Sequence, residues 1–278
     1  MVKRNLKVVR VMARGVIPIL WASCTWISRY ARHPEKYPWE ERYHRIRSFV
    51  QKLCRRMRFT LKTEGAEKLK DVPPSLFIGN HVSVLDPLML ILLSEKPIRF
   101  IAKKETLKMP IAGKVLKALD CLFLDRDDPR QAVRIFQKAE ADIREGICSY
   151  GVYPEGTRNK DPLSAKLNPF HPGSLKIAYR AKCPVVIASM FGDFRIFGSN
   201  DLRSSELVNI KIHDPIPFEA FAEKKTPDFA AELQDIVAAD VSVFVKEDQE
   251  YFASKASHHL GEKWWKDPNL PFTMEKKK

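Results

Sequence analysis

From residue 59 onward, short apolar-rich runs alternate with segments of helical periodicity, and this alternation most narrows what the chain can become. The runs fall at 59–63, 75–79, 98–102, 121–124, 151–153, 185–190 and 207–212. Several are apolar throughout, the pattern of strands covered on both faces. Between them, Asp86-Pro87 reads as a cap followed by a proline in the first helical turn, opening a helix through Leu93. Residues 110–119 are amphipathic. Asp128-Pro129 opens a helix through Glu145, which Gly146 closes. A short helix is expected at 174–181, and a long one from Thr226-Pro227 to about Lys246. The pattern predicts an α/β fold: a single domain over 59–265 with a largely parallel mixed sheet flanked by helices. Residues 266–278 read as a loose tail.

Charge separates the N-terminus from this body. The 278 residues carry 48 Lys+Arg against 34 Asp+Glu, a net charge of +14. Residues 1–60 hold 15 of the basic residues and 3 of the acidic ones, so +12 of the excess lies there. Such a module reads as a contact surface for something anionic, nucleic acid or phospholipid. Within it, residues 15–28 are uncharged and largely apolar, bracketed by Arg14 and Arg29. As a helix they would span about 21 Å, short of the ~30 Å hydrocarbon core. Pro18 weakens a straight spanning helix further. Interfacial anchoring is the favoured reading over a single span or ordinary core packing.

Residues 38–58 add a second helix. Trp39, Tyr43, Ile46, Val50, Leu53 and Met57 recur at steps of 3 and 4, one apolar stripe. The other faces carry Arg42, Arg45, Arg47, Lys52, Arg55, Arg56 and Arg58. Residues 1–58 are thus expected to form a basic amphipathic two-helix motif on a membrane phospholipid surface. Five cysteines, an odd number with no C-x-x-C unit, read as reduced thiols in a cytosolic setting, with no disulfide framework and no zinc ribbon.

In open α/β sheets, sites form beyond the carboxyl ends of strands. After the run at 75–79 come Asn80, His81, Ser83 and Asp86. Five residues turn a helix by about 500°, so His81 and Asp86 meet only if one sits on the turn and the other on the helix start. A carboxylate at Nδ1 would fix the imidazole tautomer and leave Nε2 free to take a proton. That is part of a catalytic triad without a protein nucleophile, so the substrate must bring its own hydroxyl. A turn histidine beside a capping aspartate is the bland alternative. Ser83 as nucleophile lacks a G-x-S-x-G elbow, and no second histidine stands at metal-ligand spacing. After the run ending at Tyr153 come Pro154, Glu155, Gly156, Thr157, Arg158 and Asn159. Turn amides, the Thr157 hydroxyl and the Arg158 fork suit a phosphate monoester. Lys103-Lys104 and Arg126 follow two further runs, so several cations stand at strand ends of one sheet.

Asn80-His81-x-Ser83-x-x-Asp86, Phe123-Leu124-Asp125-Arg126, Tyr153 through Asn159, and Cys183-Pro184-Val185-Val186-Ile187 resemble, in order, the four sequence blocks of the glycerolipid acyltransferases. The nearest pattern is that of the 1-acylglycerol-3-phosphate (lysophosphatidic acid) acyltransferases. The resemblance covers about residues 60–190, and its fourth block is the loosest. At Phe170-His171-Pro172-Gly173-Ser174 the family more often carries Lys or Arg in the His171–Pro172 region. The resemblance implies transfer of an acyl group from acyl-CoA or acyl carrier protein to a lysophospholipid hydroxyl, with no metal and no organic cofactor. It implies His81 as general base and Asp86 as its orienter. It implies Lys103, Arg126 and Arg158 on the acceptor phosphate, with Glu155, Gly156 and Thr157 shaping that loop. The expected location is the membrane, at its cytoplasmic face. A different lyso-lipid or glycolipid acceptor is the alternative within this chemistry. A non-enzymatic nucleic-acid-binding protein is the distant one, against which no helix-turn-helix, zinc-finger or RNA-stacking signature is present.

Overall fold

A computed structural model describes residues 12–57, 60–196 and 207–254. The basic residues before Met12, Arg58, the boundaries at 58/59 and 265/266, and the expected tail lie outside the described residues.

The chain enters as one helical run, α1, made of Met12–Val16, Ile17–Ala22, Ser23–Ile27 and Ser28–Arg32, the first and third pieces being π-helical turns. Pro18 falls inside this run, just after the first π-helical turn, the kind of local irregularity that accompanies a proline without its N–H. The helix α2, Trp39–Met57, follows. The body then alternates β1 (Thr60–Glu64), β2 (Leu76–Ile78), α3 (Asp86–Leu93), β3 (Ile98–Lys103), α4 (Ala112–Ala118), β4 (Leu122–Leu124), α5 (Pro129–Arg144), β5 (Ser149–Val152), α6 (Lys176–Ala181), β6 (Val185–Phe191), β7 (Leu207–Ile212) and α7 (Thr226–Ser254). The strand order is β1-β7-β6-β2-β5-β3-β4, with only β6 and β7 antiparallel.

The apolar runs are continuous because both sheet faces are covered. In β2, Leu76 and Ile78 face one core and Phe77 the other. In β6, Val185 and Ile187 face the core under α5, α6 and α7, whereas Val186, Ala188 and Met190 face the core under α1, α2 and α3. Most element boundaries shift by one or two residues from expectation, and two of the differences matter here. Strand β5 starts at Ser149 because Ser149 already pairs with Ile98. This leaves Tyr153 beyond the strand. Helix α7 runs to Ser254 rather than Lys246, since no Gly or Pro interrupts that stretch and Glu247 pairs with Lys62 at 2.7 Å.

The apolar stripe of α2 is where the sequence reading needs correcting. Trp39, Tyr43, Ile46 and Val50 are buried in the domain's own cores rather than offered to a bilayer. The Trp39 Nε1–H donates to the Leu119 carbonyl at 3.1 Å, and the Arg99 guanidinium lies 4.3 Å over its ring. Arg42 is buried as well: it donates to the Ala118 carbonyl at 2.6 Å and makes a bidentate pair with Asp120 at 2.6 and 2.9 Å. Arg47 reaches Glu95 at 3.7 Å. Two of the seven expected surface cations thus serve the fold, while Arg45, Lys52 and Arg56 remain exposed. Among the described residues no helix is long and apolar enough to cross a membrane.

Candidate active site

With β2 between β5 and β6, three carboxyl ends open on one crevice. The turn after β2 carries His81, and α3 begins at Asp86. Asp86 is 0% exposed, and its Oδ2 accepts from Val82 N–H and Ser83 N–H at 3.0 Å each. The same oxygen lies 2.5 Å from His81 Nδ1. The carboxylate therefore wraps the turn around itself and brings together two residues that one helix would hold apart. The His81 side chain is 20% exposed, and its Nε2 has no hydrogen-bond partner among the described residues. Its ring stacks on Tyr153, with centroids 4.5 Å apart and planes at 16°.

The loop after β5 fixes the His81 backbone from both sides. Glu155 Oε1 accepts the His81 N–H at 2.6 Å, and Asn159 N–H donates to the His81 carbonyl at 2.7 Å. Glu155 is buried, and its other oxygen accepts Asn168 N–H at 3.0 Å. Its carboxyl pKa is raised, first by burial, with the backbone donors opposing. Gly156 adopts φ +67, which favours glycine. Arg126 donates to the Gly156 carbonyl, drawing the β4 end to this loop.

Burial is the largest influence on His81 and lowers its pKa to about 4. Nearby Glu155 opposes this, and the positive charge of Arg158 reinforces it. A neutral imidazole with Nδ1 engaged and Nε2 open can accept a proton at neutral pH. Burial raises the Asp86 pKa, opposed by the Val82 and Ser83 N–H groups and by contact with Asp193.

The cations expected on a phosphate stand at the same sheet edge with different attachments. Arg158 and Thr157 are exposed, and Arg158 lies near enough for its charge to act on His81. Arg126 is tied to Gly156. Lys103 lies 3.5 Å from Glu105, with no direct contact to the His81 turn, and Lys104 pairs with Asp125 at 2.8 Å. The sequence reading named Asn80 and Tyr153 within its motifs without giving either a role, and it missed Asp193. Asn80 clamps Met190, donating to its carbonyl at 2.7 Å and accepting its N–H at 2.9 Å. Tyr153 backs the imidazole. Asp193, fully buried just beyond β6, adjoins Asp86. A search for polar residues after every apolar run, applied to β6, would have flagged Gly192-Asp193.

The molecule is thus an α/β fold with a mostly parallel seven-stranded sheet and a His–Asp pair beyond its central strand. The backbone matches the crystal structure of the 1-acyl-sn-glycerophosphate acyltransferase of Thermotoga maritima, with a TM-score of 0.65 at 21% identity, over 91% of this chain and 100% of that one. The acyltransferase family model matches residues 60–190. A probable 1-acyl-sn-glycerol-3-phosphate acyltransferase of Mycoplasma pneumoniae is 34% identical over 194 residues, covering 64% of this chain and 68% of that protein. Its counterpart in Mycoplasma genitalium is also 34% identical, over 62% of this chain and 63% of that protein. The matches to these curated relatives thus span about two thirds of their length. The chain belongs to the acyltransferase family.

Proposed function

We propose that the protein transfers a fatty acyl group from an acyl thioester, acyl-CoA or acyl carrier protein, to the free hydroxyl of 1-acyl-sn-glycerol 3-phosphate, giving phosphatidic acid. The observation that carries this reading is the His81–Asp86 pair, with Nε2 open, beside cationic strand ends. His81 Nε2 takes the hydroxyl proton as the alkoxide oxygen bonds to the thioester carbonyl carbon. Asp86 holds the imidazole tautomer and offsets the imidazolium charge. The C–S bond then breaks, and the imidazolium returns the proton to the leaving thiolate. The thioester is already activated, so the reading calls for no metal or organic cofactor.

Arg158, Lys103 and Arg126 hold the acceptor phosphate in this reading, since a dianion requires several cations. Arg158→Ala is expected to raise the KM for the phosphorylated acceptor by roughly tenfold or more, the scale of one lost charge-assisted hydrogen bond, leaving donor KM unchanged. A panel of lyso-acceptors tests this directly. Preference for a glycolipid, or an Arg158→Ala defect confined to the donor, would contradict the assignment.

Helix α1 supplies the membrane contact in the same reading. Ile17, Leu20 and Trp21 are 57%, 46% and 63% exposed at helical spacing, a large apolar surface for a soluble face. The exposed cations of α2 would add attraction to anionic headgroups, at about 1 kcal/mol each. Replacing Ile17, Leu20 and Trp21 together with serine is expected to release the folded protein from anionic vesicles in a flotation assay. Unchanged flotation would assign membrane binding elsewhere.

A further inference from the structure

Asp193 takes no part in the chemistry above, yet the fold directs it to the centre of the site. Strand β6 delivers it: the two Asn80–Met190 bonds tie the strand to the loop that carries His81. Gly192 then turns the chain at φ +106, so close to β7 that a Cβ would clash with the Leu207 carbonyl oxygen. Asp193 follows, 0% exposed, and neither carboxyl oxygen meets a regular hydrogen-bond donor among the described residues. Across from it, Asp86 Oδ1 is equally buried and without a regular partner, while Oδ2 is occupied by His81, Val82 and Ser83. The groups facing Asp193 are Asp86 on α3, Ser83 and His81 on the preceding turn, and Tyr153 beyond β5.

Two carboxylates in contact in a water-excluded pocket do not both ionise, because like charges at low dielectric repel strongly. A carboxylic acid against a carboxylate satisfies both orphan groups with one short hydrogen bond. Which partner holds the proton follows from their surroundings. Asp86 accepts two backbone N–H groups and faces the imidazole, all of which favour its anion. Among the described residues Asp193 faces only the Ser83 hydroxyl as a donor and no backbone N–H.

We propose that Asp193 is a positioning residue: a neutral carboxylic acid that donates its proton to Asp86 Oδ1 and holds that carboxylate ionised and aligned on His81. This rests on the general-base reading of His81. Burial and the adjacent Asp86 charge both raise the Asp193 pKa, and contact with Asp193 lowers that of Asp86.

The experiment compares Asp193→Ala and Asp193→Asn, because asparagine can still donate to Oδ1 while lacking a titratable proton. Asp193→Ala is expected to lose roughly tenfold or more in kcat, the scale of a hydrogen bond to a charged group, with acceptor KM little changed. Without the donor, the His81–Asp86 unit holds a proton more tightly, so the acid limb of the kcat profile moves to higher pH. Asp193→Asn is expected to restore most of kcat and the wild-type limb. Infrared spectroscopy of the wild type at pH 7 should show a protonated-carboxyl C=O band that Asp193→Asn removes, a readout that survives poor folding of the alanine variant. Asp193→Asn being as impaired as Asp193→Ala, Asp193→Ala keeping wild-type kcat and pH limb, or absence of that band would overturn the proposal. Turnover by His81→Ala would instead overturn the base reading, whatever the infrared result.

Discussion

His81→Ala is expected to reduce acyl transfer by roughly a thousandfold or more, the contribution of a positioned general base with its orienting carboxylate. The fold should survive this change. His81 is part-exposed on a turn, and its removal leaves Asp86 Oδ2 bonded to Val82 and Ser83 N–H at 3.0 Å. The backbone clamps on residue 81, from Glu155 and Asn159, do not involve the imidazole. A thermal melt close to wild type beside absent turnover would fit. Asp86→Ala provides the contrast. It should lose comparable activity and also stability, by about 2 kcal/mol or more, because two buried N–H groups lose their acceptor. Residual turnover in His81→Ala near the wild-type rate would require another base.

Asn80→Ala is expected to destabilise the protein by about 3 kcal/mol, measured as a shift in the denaturation midpoint with unchanged slope. The side chain makes two buried bonds to the Met190 peptide, and alanine leaves that N–H and C=O without water or partner. Activity should fall too, because the same bonds hold the end of β6 against the loop that carries His81. Asn80→Asp should be at least as damaging: it keeps the acceptor, loses the donor and adds a buried charge. A loss below about 1 kcal/mol in Asn80→Ala would mean that water or local rearrangement replaces the clamp.

The strands were legible in the sequence because burial on both faces makes them uninterrupted apolar runs. The start of α3 was legible because Asp86-Pro87 is a local signal. The His81–Asp86 contact was legible for the same reason, as both partners lie on one turn. The amphipathic stripe of α2 could be read, but not what covers it. Whether Tyr43 and Arg42 meet lipid or protein depends on Ser94, Ala118 and Asp120, which no periodicity links to them. Asn80 pairs with a peptide 110 positions away, a partner that only the sheet order β6-β2-β5 defines. Asp193 was hidden in the same way, since its significance comes from Asp86 rather than from its neighbours in sequence. The exposed cations were visible as post-strand residues. The structure adds that Lys104 is already paired, with Asp125 at 2.8 Å, whereas Arg158 carries its charge toward His81.

The central claim is direct transfer from thioester to lyso-acceptor, with His81 as base and no acylated protein on the path. Intact-protein mass spectrometry tests it when the enzyme meets the acyl thioester alone and then receives 1-acyl-sn-glycerol 3-phosphate. The expected result is an unchanged protein mass in the first step and phosphatidic acid in the second, formed by the wild type and not by His81→Ala. An acyl-protein adduct that discharges onto the acceptor, or no diacyl product with either thioester donor, would contradict the account.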